Sequence, residues 1–188
     1  MGRNALTSMT DHVRSHIGSP VVMRRIELDG GAVVTLLRVD DAPCGGATTM
    51  TTSGLSELGA HRLHEELVMA CWSDGPVDEL SYVVEFVVRQ LARGREPLLY
   101  GDVVGPAGPL VPGVKMEALY VCVPSYFPDG FADYVSHDGC EVRVRWLLPI
   151  FPSEASVVET RGAQHFETLL EEGDPDLLSL ERPSAVAG

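Results

Sequence analysis

Two histidines and two carboxylates fall within six residues at His61-Arg62-Leu63-His64-Glu65-Glu66. Imidazole nitrogens and carboxylate oxygens are ordinary ligands of zinc, and His61 and His64 would share one face of a helix. The apolar run that begins at Glu66 predicts a strand instead, in which the two histidines would point to opposite faces. We therefore expect neither a metal site nor a cofactor here.

Catalytic patterns are also missing from the sequence. The segment Ser53-Gly54-Leu55-Ser56 does not match the Gly-x-Ser-x-Gly elbow of a hydrolase. The segment Gly105-Pro106-Ala107-Gly108-Pro109 lacks the lysine and the following hydroxyl of a phosphate-binding loop. No nucleophile, base and orienting group can be assembled from these motifs, so the sequence does not predict an enzyme.

The charge of the chain is strongly unbalanced. Its 188 residues include 27 acidic and 14 basic ones, for a net charge of −13. A negative field of this size repels phosphate backbones, which disfavours nucleic acid as a partner. It favours a basic protein partner, although acidic surfaces also simply keep proteins dispersed in solution.

The sequence gives no sign of a membrane segment. Residues 1–19 contain Arg3, Asp11 and Arg14, so they lack the apolar core of a signal peptide. No apolar run approaches the roughly 20 residues that span a bilayer. We therefore expect a cytoplasmic protein that does not bind membranes, and the sequence leaves its oligomeric state open.

Hydrophobic periodicity predicts the elements that position these groups. Residues 21–28 and 32–39 read as a hairpin, Thr48–Ser53 as a strand, and Glu66–Trp72 as a central strand covered on both faces. Val77–Leu91 has apolar residues at three- and four-residue spacing, which predicts an amphipathic helix. Further predicted elements are helices at 8–17, 153–161 and 163–172, strands at 118–123 and 141–146, and irregular connections at 96–113 and 125–139. Pro149 and Pro152 should end the last strand.

Five short motifs occur in the order typical of one family. They are Ser53-Gly54-Leu55-Ser56-Glu57-Leu58, His64-Glu65-Glu66-Leu67-Val68-Met69, Gly101-Asp102-Val103-Val104, Met116-Glu117-Ala118-Leu119-Tyr120, and the segment from Trp146 through Phe151-Pro152-Ser153-Glu154 to Glu172. The chain thus resembles single-domain, bacterial-type members of the suppressor of fused domain family. The resemblance covers residues 45–183. It implies an α+β fold with a mainly antiparallel or mixed central sheet flanked by helices.

The remaining segments are assigned to the same unit. We expect residues 1–44 to form an N-terminal helix and hairpin within this one domain. Residues 184–188 end in small side chains and are predicted to be a flexible tail.

The resemblance also implies candidate partner-binding residues. In animal members an acidic residue after a glycine lies where a transcription-factor peptide docks as an added strand, and Gly101-Asp102 matches that motif. Glu57 in the first motif is a further candidate. The alternative is that Asp102 caps a turn or pairs with an arginine, as aspartate commonly does. The chain lacks the long second domain of animal members, so we do not expect it to clamp a peptide between two domains.

Two functions follow from the resemblance, and neither is enzymatic. Bacterial-type members are commonly proposed to be immunity proteins, so the first is neutralisation of a basic toxin domain by stoichiometric binding. The second is a cytosolic adaptor that binds an extended peptide at a sheet edge near Gly101-Asp102.

Overall fold

The computed structural model describes residues 8–58, 63–94 and 96–186. Within these ranges the helices are α1 (Met9–His16), α2 (Val77–Ala92), α3 (Pro152–Arg161) and α4 (Ala163–Gly173), with a short 3-10 helix at Asp29–Gly31. The strands are β1 (Val21–Glu27), β2 (Val33–Asp40), β3 (Ala47–Ser53), β4 (Glu65–Trp72), β5 (Val103–Val104), β6 (Ala118–Cys122), β7 (Asp133–Val135) and β8 (Glu141–Ile150). None of the helices in these ranges has the length and apolar character needed to cross a membrane.

The described strands form one sheet in the order β1-β2-β3-β4-β8-β6-β5, and β7 also pairs with β8. Only the β4–β8 pair is parallel among these strands, and the others are antiparallel. The predicted α+β fold with a mainly antiparallel, mixed sheet flanked by helices is confirmed.

The sheet separates two hydrophobic cores because successive side chains of a strand point to opposite faces. In β4, Leu67 and Met69 belong to the core beneath α2, whereas Val68 and Ala70 belong to the core beneath the other three helices. This explains why β4 is apolar from Leu67 to Trp72 and buried throughout its length except at Trp72. The prediction of a central strand covered on both faces is confirmed.

Helix α2 forms as its apolar spacing predicts. Its buried stripe faces the sheet, and Gly94 follows its last turn with a φ of +89°, a conformation that suits glycine. Near its C-terminal end, Arg89 binds Glu85 at 2.7 Å and donates to the carbonyl of Glu27 on β1. This arginine therefore fastens the helix to the edge of the sheet.

Several local predictions are wrong in instructive ways. The connections 96–113 and 125–139 are not wholly irregular, since they contain the short strands β5 and β7. Pro149 does not end β8. Beyond Trp146 this strand pairs with β6 but no longer with β4, so fewer ladder hydrogen bonds are required of it. The side chain of Ser8 caps α1, and α3 begins at Pro152, one residue before the predicted start.

Candidate functional site

The predicted residues Gly101 and Asp102 lie in a tight turn that precedes β5. The Asp102 carboxylate accepts a hydrogen bond from the Leu99 N–H at 2.8 Å, and the Asp102 N–H donates to the Leu99 carbonyl at 3.0 Å. Gly101 donates to the Val121 carbonyl, and the Val121 N–H donates to Asp102. Asp102 thus closes a turn, the alternative that the sequence left open, and the turn is anchored to β6.

Gly101 is required by both conformation and space. Its φ is +90°, in the region that favours glycine, and an added Cβ would lie 3.0 Å from the Cβ of Ala163 at the start of α4. The turn is therefore held close against the helix.

This turn presents two apolar side chains to solvent. Leu99 is 61% exposed and Tyr100 is 47% exposed. The Tyr100 hydroxyl donates to the carboxylate of Glu167 on α4. Exposed apolar side chains beside the carboxylates of Asp102 and Glu167 give the turn the mixed character of a protein-binding surface. Sequence reasoning missed Leu99 and Tyr100, although an apolar pair directly before a Gly-Asp turn is a usable signal.

The loop that carries the third predicted residue, Glu57, is built around a buried carboxylate. Glu66 on β4 is fully buried and accepts five hydrogen bonds, from the backbone N–H groups of residues 54–56 and from the hydroxyls of Thr52 and Ser56. Burial raises the pKa of Glu66, and these hydrogen bonds act in the opposite direction. The Glu66 carboxylate holds the 54–56 loop in place, and Glu57, the next residue along the chain, is exposed.

We expect Glu66→Gln to lower the free energy of unfolding by about 1–3 kcal/mol. One carboxylate oxygen accepts from Leu55 and the other from Gly54 and Ser56, so an amide nitrogen in either position leaves a backbone N–H without an acceptor. Urea unfolding measures the loss. The control is Glu57→Gln, which removes an exposed carboxylate from the same loop and should change stability by less than about 0.5 kcal/mol. Equal stability of the two variants would contradict this role.

Two cavities border the N-terminal ends of β4 and β8. One has a volume of about 270 Å³ and is lined in part by Glu57, Glu66 and Tyr134. The other, about 470 Å³, is lined in part by Glu65 and by Leu99 of the turn. His64 and Cys140 line both, so the cavities are neighbours. The structure therefore places Glu57 beside the first cavity and the Gly101–Asp102 turn beside the second.

The second cavity contains an unusual carboxyl group. Glu65 is buried and accepts a hydrogen bond from the Leu98 N–H at 3.1 Å. Burial raises its pKa to about 7, and the negative charges of Glu66 and Asp102 add to this effect, while the Leu98 N–H and Arg145 oppose it. Burial also lowers the pKa of Arg145, whose Nε is buried without a hydrogen-bond partner in the structure.

The histidine and carboxylate motif does not assemble into a described metal site. His61 lies outside the described residues. Glu66 uses both oxygens to hold the 54–56 loop, and Glu65 accepts from Leu98. Across residues 8–58, 63–94 and 96–186, no group of three or more His, Cys, Asp or Glu side chains is arranged to hold a metal ion.

Together these features define a class: an α+β domain whose single mixed sheet carries helices on both faces, with a loop fastened by a buried carboxylate and an exposed apolar turn at one edge. The chain belongs to the suppressor of fused family, since the family model described as Suppressor of fused protein (SUFU) matches residues 30–183. The family prediction is confirmed.

Solved structures share this fold. A putative SUFU homologue from Neisseria gonorrhoeae superposes with a TM-score of 0.74 at 20% identity, covering 96% of each chain. Drosophila Suppressor of Fused has a TM-score of 0.65 at 12% identity, covering 88% of this chain and 46% of the fly protein. A chain of the Sufu-Fu complex has a TM-score of 0.59 at 14% identity, covering 87% of this chain and 82% of that one. No curated protein matches the chain.

Proposed function

We propose that this protein is a non-enzymatic protein-binding domain that holds its partner at the Leu99–Asp102 turn. The observation that carries the proposal is the exposure of Leu99 and Tyr100 on a turn that backbone hydrogen bonds anchor to β6. Exposed apolar side chains on an anchored backbone can be buried by a partner without the cost of ordering that backbone. The Sufu-Fu structure, a complex of a protein with this fold, supports a binding role.

The partner that fits this surface is basic. The carboxylates of Asp102 and Glu167 flank the two apolar side chains, and the whole chain carries a net charge of −13. Complementary charge speeds encounter and favours partners of opposite sign. A basic bacterial toxin domain, neutralised by stoichiometric binding in the cytoplasm, is the specific partner that the family resemblance implies.

An extended peptide is the second candidate. The edge strand β5 follows Asp102 directly and pairs with β6 on one side, so its other side is where a peptide strand would add. This adaptor role predicts that short peptides bind as well as the intact partner does. Toxin neutralisation predicts that only the folded partner domain binds.

Affinity capture of the tagged protein from its native cells, followed by mass spectrometry and titration calorimetry with the purified partner, tests the proposal. The double substitution Leu99→Ala with Tyr100→Ala should weaken binding roughly tenfold or more, because truncating interface anchors has effects of this size. The control is Phe86→Ala, which truncates an exposed apolar side chain on α2, across the sheet from α4. Equal loss in both variants, or no loss in either, would contradict binding at the turn.

A further inference from the structure

A cavity of about 410 Å³ lies beside the proposed binding turn, on the face of the sheet that carries α4. Aromatic side chains form much of its wall: Tyr100 from the turn, Tyr120 from β6, Tyr126 from the loop after β6, and Trp146 from β8. Tyr100 and Tyr126 are 47% and 41% exposed, whereas Tyr120 and Trp146 are buried. The cavity therefore has a fixed aromatic interior and two accessible rings at its mouth.

The rings are held in place by their neighbours. Tyr126 packs on Trp146 with ring centroids 5.2 Å apart, and Tyr120 meets Phe166 edge to face at 5.1 Å. The hydroxyls of Tyr100 and Tyr120 both donate to the carboxylate of Glu167, the latter at 3.0 Å. Because these contacts are already made, a ligand would meet aromatic surfaces that need little reordering.

Negative charge surrounds this aromatic wall. Glu167, Glu171 and Asp174 line the cavity, and none of them has an ion-pair partner in the part of the chain that the structure describes. Glu171 and Asp174 also lie at the C-terminal end of α4, whose last turn contains no basic residue. The helix dipole is negative at that end, so these carboxylates are placed where they destabilise the helix. A cation bound in the cavity would offset that repulsion.

We infer that this cavity receives an arginine side chain of the protein partner. The inference rests on the proposed binding function and specifies its chemistry. A guanidinium is flat, so it can stack on the faces of the tyrosine rings. Its N–H groups donate hydrogen bonds in its own plane, which suits the carboxylates. Each Glu167 oxygen accepts one tyrosine hydroxyl and retains capacity for a further hydrogen bond.

The first test uses a peptide and its neutral copy. The ¹⁵N-labelled full chain is titrated with acetyl-Gly-Arg-Gly-amide and with the same peptide carrying citrulline, which has nearly the shape of arginine but no charge. We expect the arginine peptide to shift amide resonances around residues 120–126 and 167–174, and the citrulline peptide to leave them unchanged. Equal shifts with both peptides, or no localised shifts with either, would overturn the inference.

Variants of the cavity separate the ring and charge contributions. Tyr126→Leu should weaken binding of the arginine peptide roughly 2- to 30-fold, the range of cation–π contributions. Glu171→Gln with Asp174→Asn should weaken it roughly 2- to 10-fold, and asparagine tolerates the left-handed backbone of residue 174, where φ is 42°. The matched control is Glu172→Gln, which removes an exposed carboxylate next to Glu171 that does not line the cavity. Loss of binding in this control as large as in the double variant would overturn the assignment to the cavity.

A third arm identifies the source of the cation. Methylguanidine presents the same charged group without a peptide, and we expect it to bind more weakly than the arginine peptide. Binding of methylguanidine as tight as that of the peptide would assign the cavity to a free small cation and overturn the partner assignment. The partner capture experiment is separate. Capture with full affinity by Tyr126→Leu refutes the arginine inference alone, whereas loss of capture in Tyr126→Leu with capture retained by Glu172→Gln supports it.

Discussion

Arg182→Met is expected to lower the free energy of unfolding by about 3–5 kcal/mol, the range for breaking a buried ion pair. The side chains of Arg182 and Glu154 are 1% and 0% exposed, and their two contacts are 2.7 and 2.8 Å long. Methionine fills much of the arginine volume but leaves the Glu154 carboxylate buried without its cation. Urea unfolding monitored by circular dichroism measures the loss.

Two variants define what this loss means. Arg161→Met removes an exposed arginine from the end of α3 and should cost less than about 0.5 kcal/mol. Adding Glu154→Gln to Arg182→Met removes the unpaired charge while keeping one acceptor oxygen, so part of the stability should return. If Arg182→Met unfolds at the same urea concentration as Arg161→Met, the ion pair does not stabilise the fold.

This ion pair joins three parts of the chain. Glu154 also accepts hydrogen bonds from the Phe151 and Ala185 N–H groups, and Arg182 donates to the Pro149 carbonyl. The segment after α4 is thereby fastened to the end of β8 and the start of α3. The flexible tail predicted for 184–188 stays a prediction. Within that range, the backbone N–H of Ala185 donates to the Glu154 carboxylate.

The sequence predicts the long elements well because their signals are local. β4 contains a continuous apolar run from Leu67 to Trp72 and α2 has a regular apolar stripe, and either pattern is complete within one segment. The strands β5 and β7 could not be predicted in the same way. Each has only two or three residues and exists because of pairing with a distant or adjacent strand, as Val103 pairs with Tyr120.

The candidate site also combines features with local sequence signals and features that depend on long-range contacts. The Gly101–Asp102 turn could be predicted because glycine and aspartate have strong local preferences. The aromatic cavity could not, since Tyr100 and Glu167 are 67 residues apart and meet only when α4 packs beside β6. The same holds for Glu66: nothing local in the motif shows that its carboxylate collects the N–H groups of residues 54–56.

Ionisation of Glu65 is expected to reduce the stability of the folded protein as the pH rises from about 4.5 to about 7. Burial raises the pKa of Glu65 from 4.5 to about 7 in the folded protein. Below pH 4.5 the group is protonated in both states and its contribution to stability is fully present. As the pH rises above 4.5, Glu65 ionises first in the unfolded chain. Its contribution to stability is then lost progressively until the pH passes the folded-state pKa of about 7. A difference of this size between the folded and unfolded pKa of Glu65 corresponds to about 3 kcal/mol in the free energy of unfolding.

Glu65→Gln isolates this contribution because the amide keeps an acceptor for the Leu98 N–H and cannot ionise. The variant should match the parent near pH 4 and exceed it by up to about 3 kcal/mol above pH 7, a difference that already includes the attraction between ionised Glu65 and Arg145. Glu66 and Asp102 remain in both proteins, and their repulsion of the ionised Glu65 carboxylate is part of the difference. The control Glu141→Gln, an exposed carboxylate on the wall of the same cavity, should follow the parent at every pH. Parallel curves for Glu65→Gln and the parent from pH 4 to 8 would show that Glu65 ionises as readily in the folded protein as in the unfolded chain.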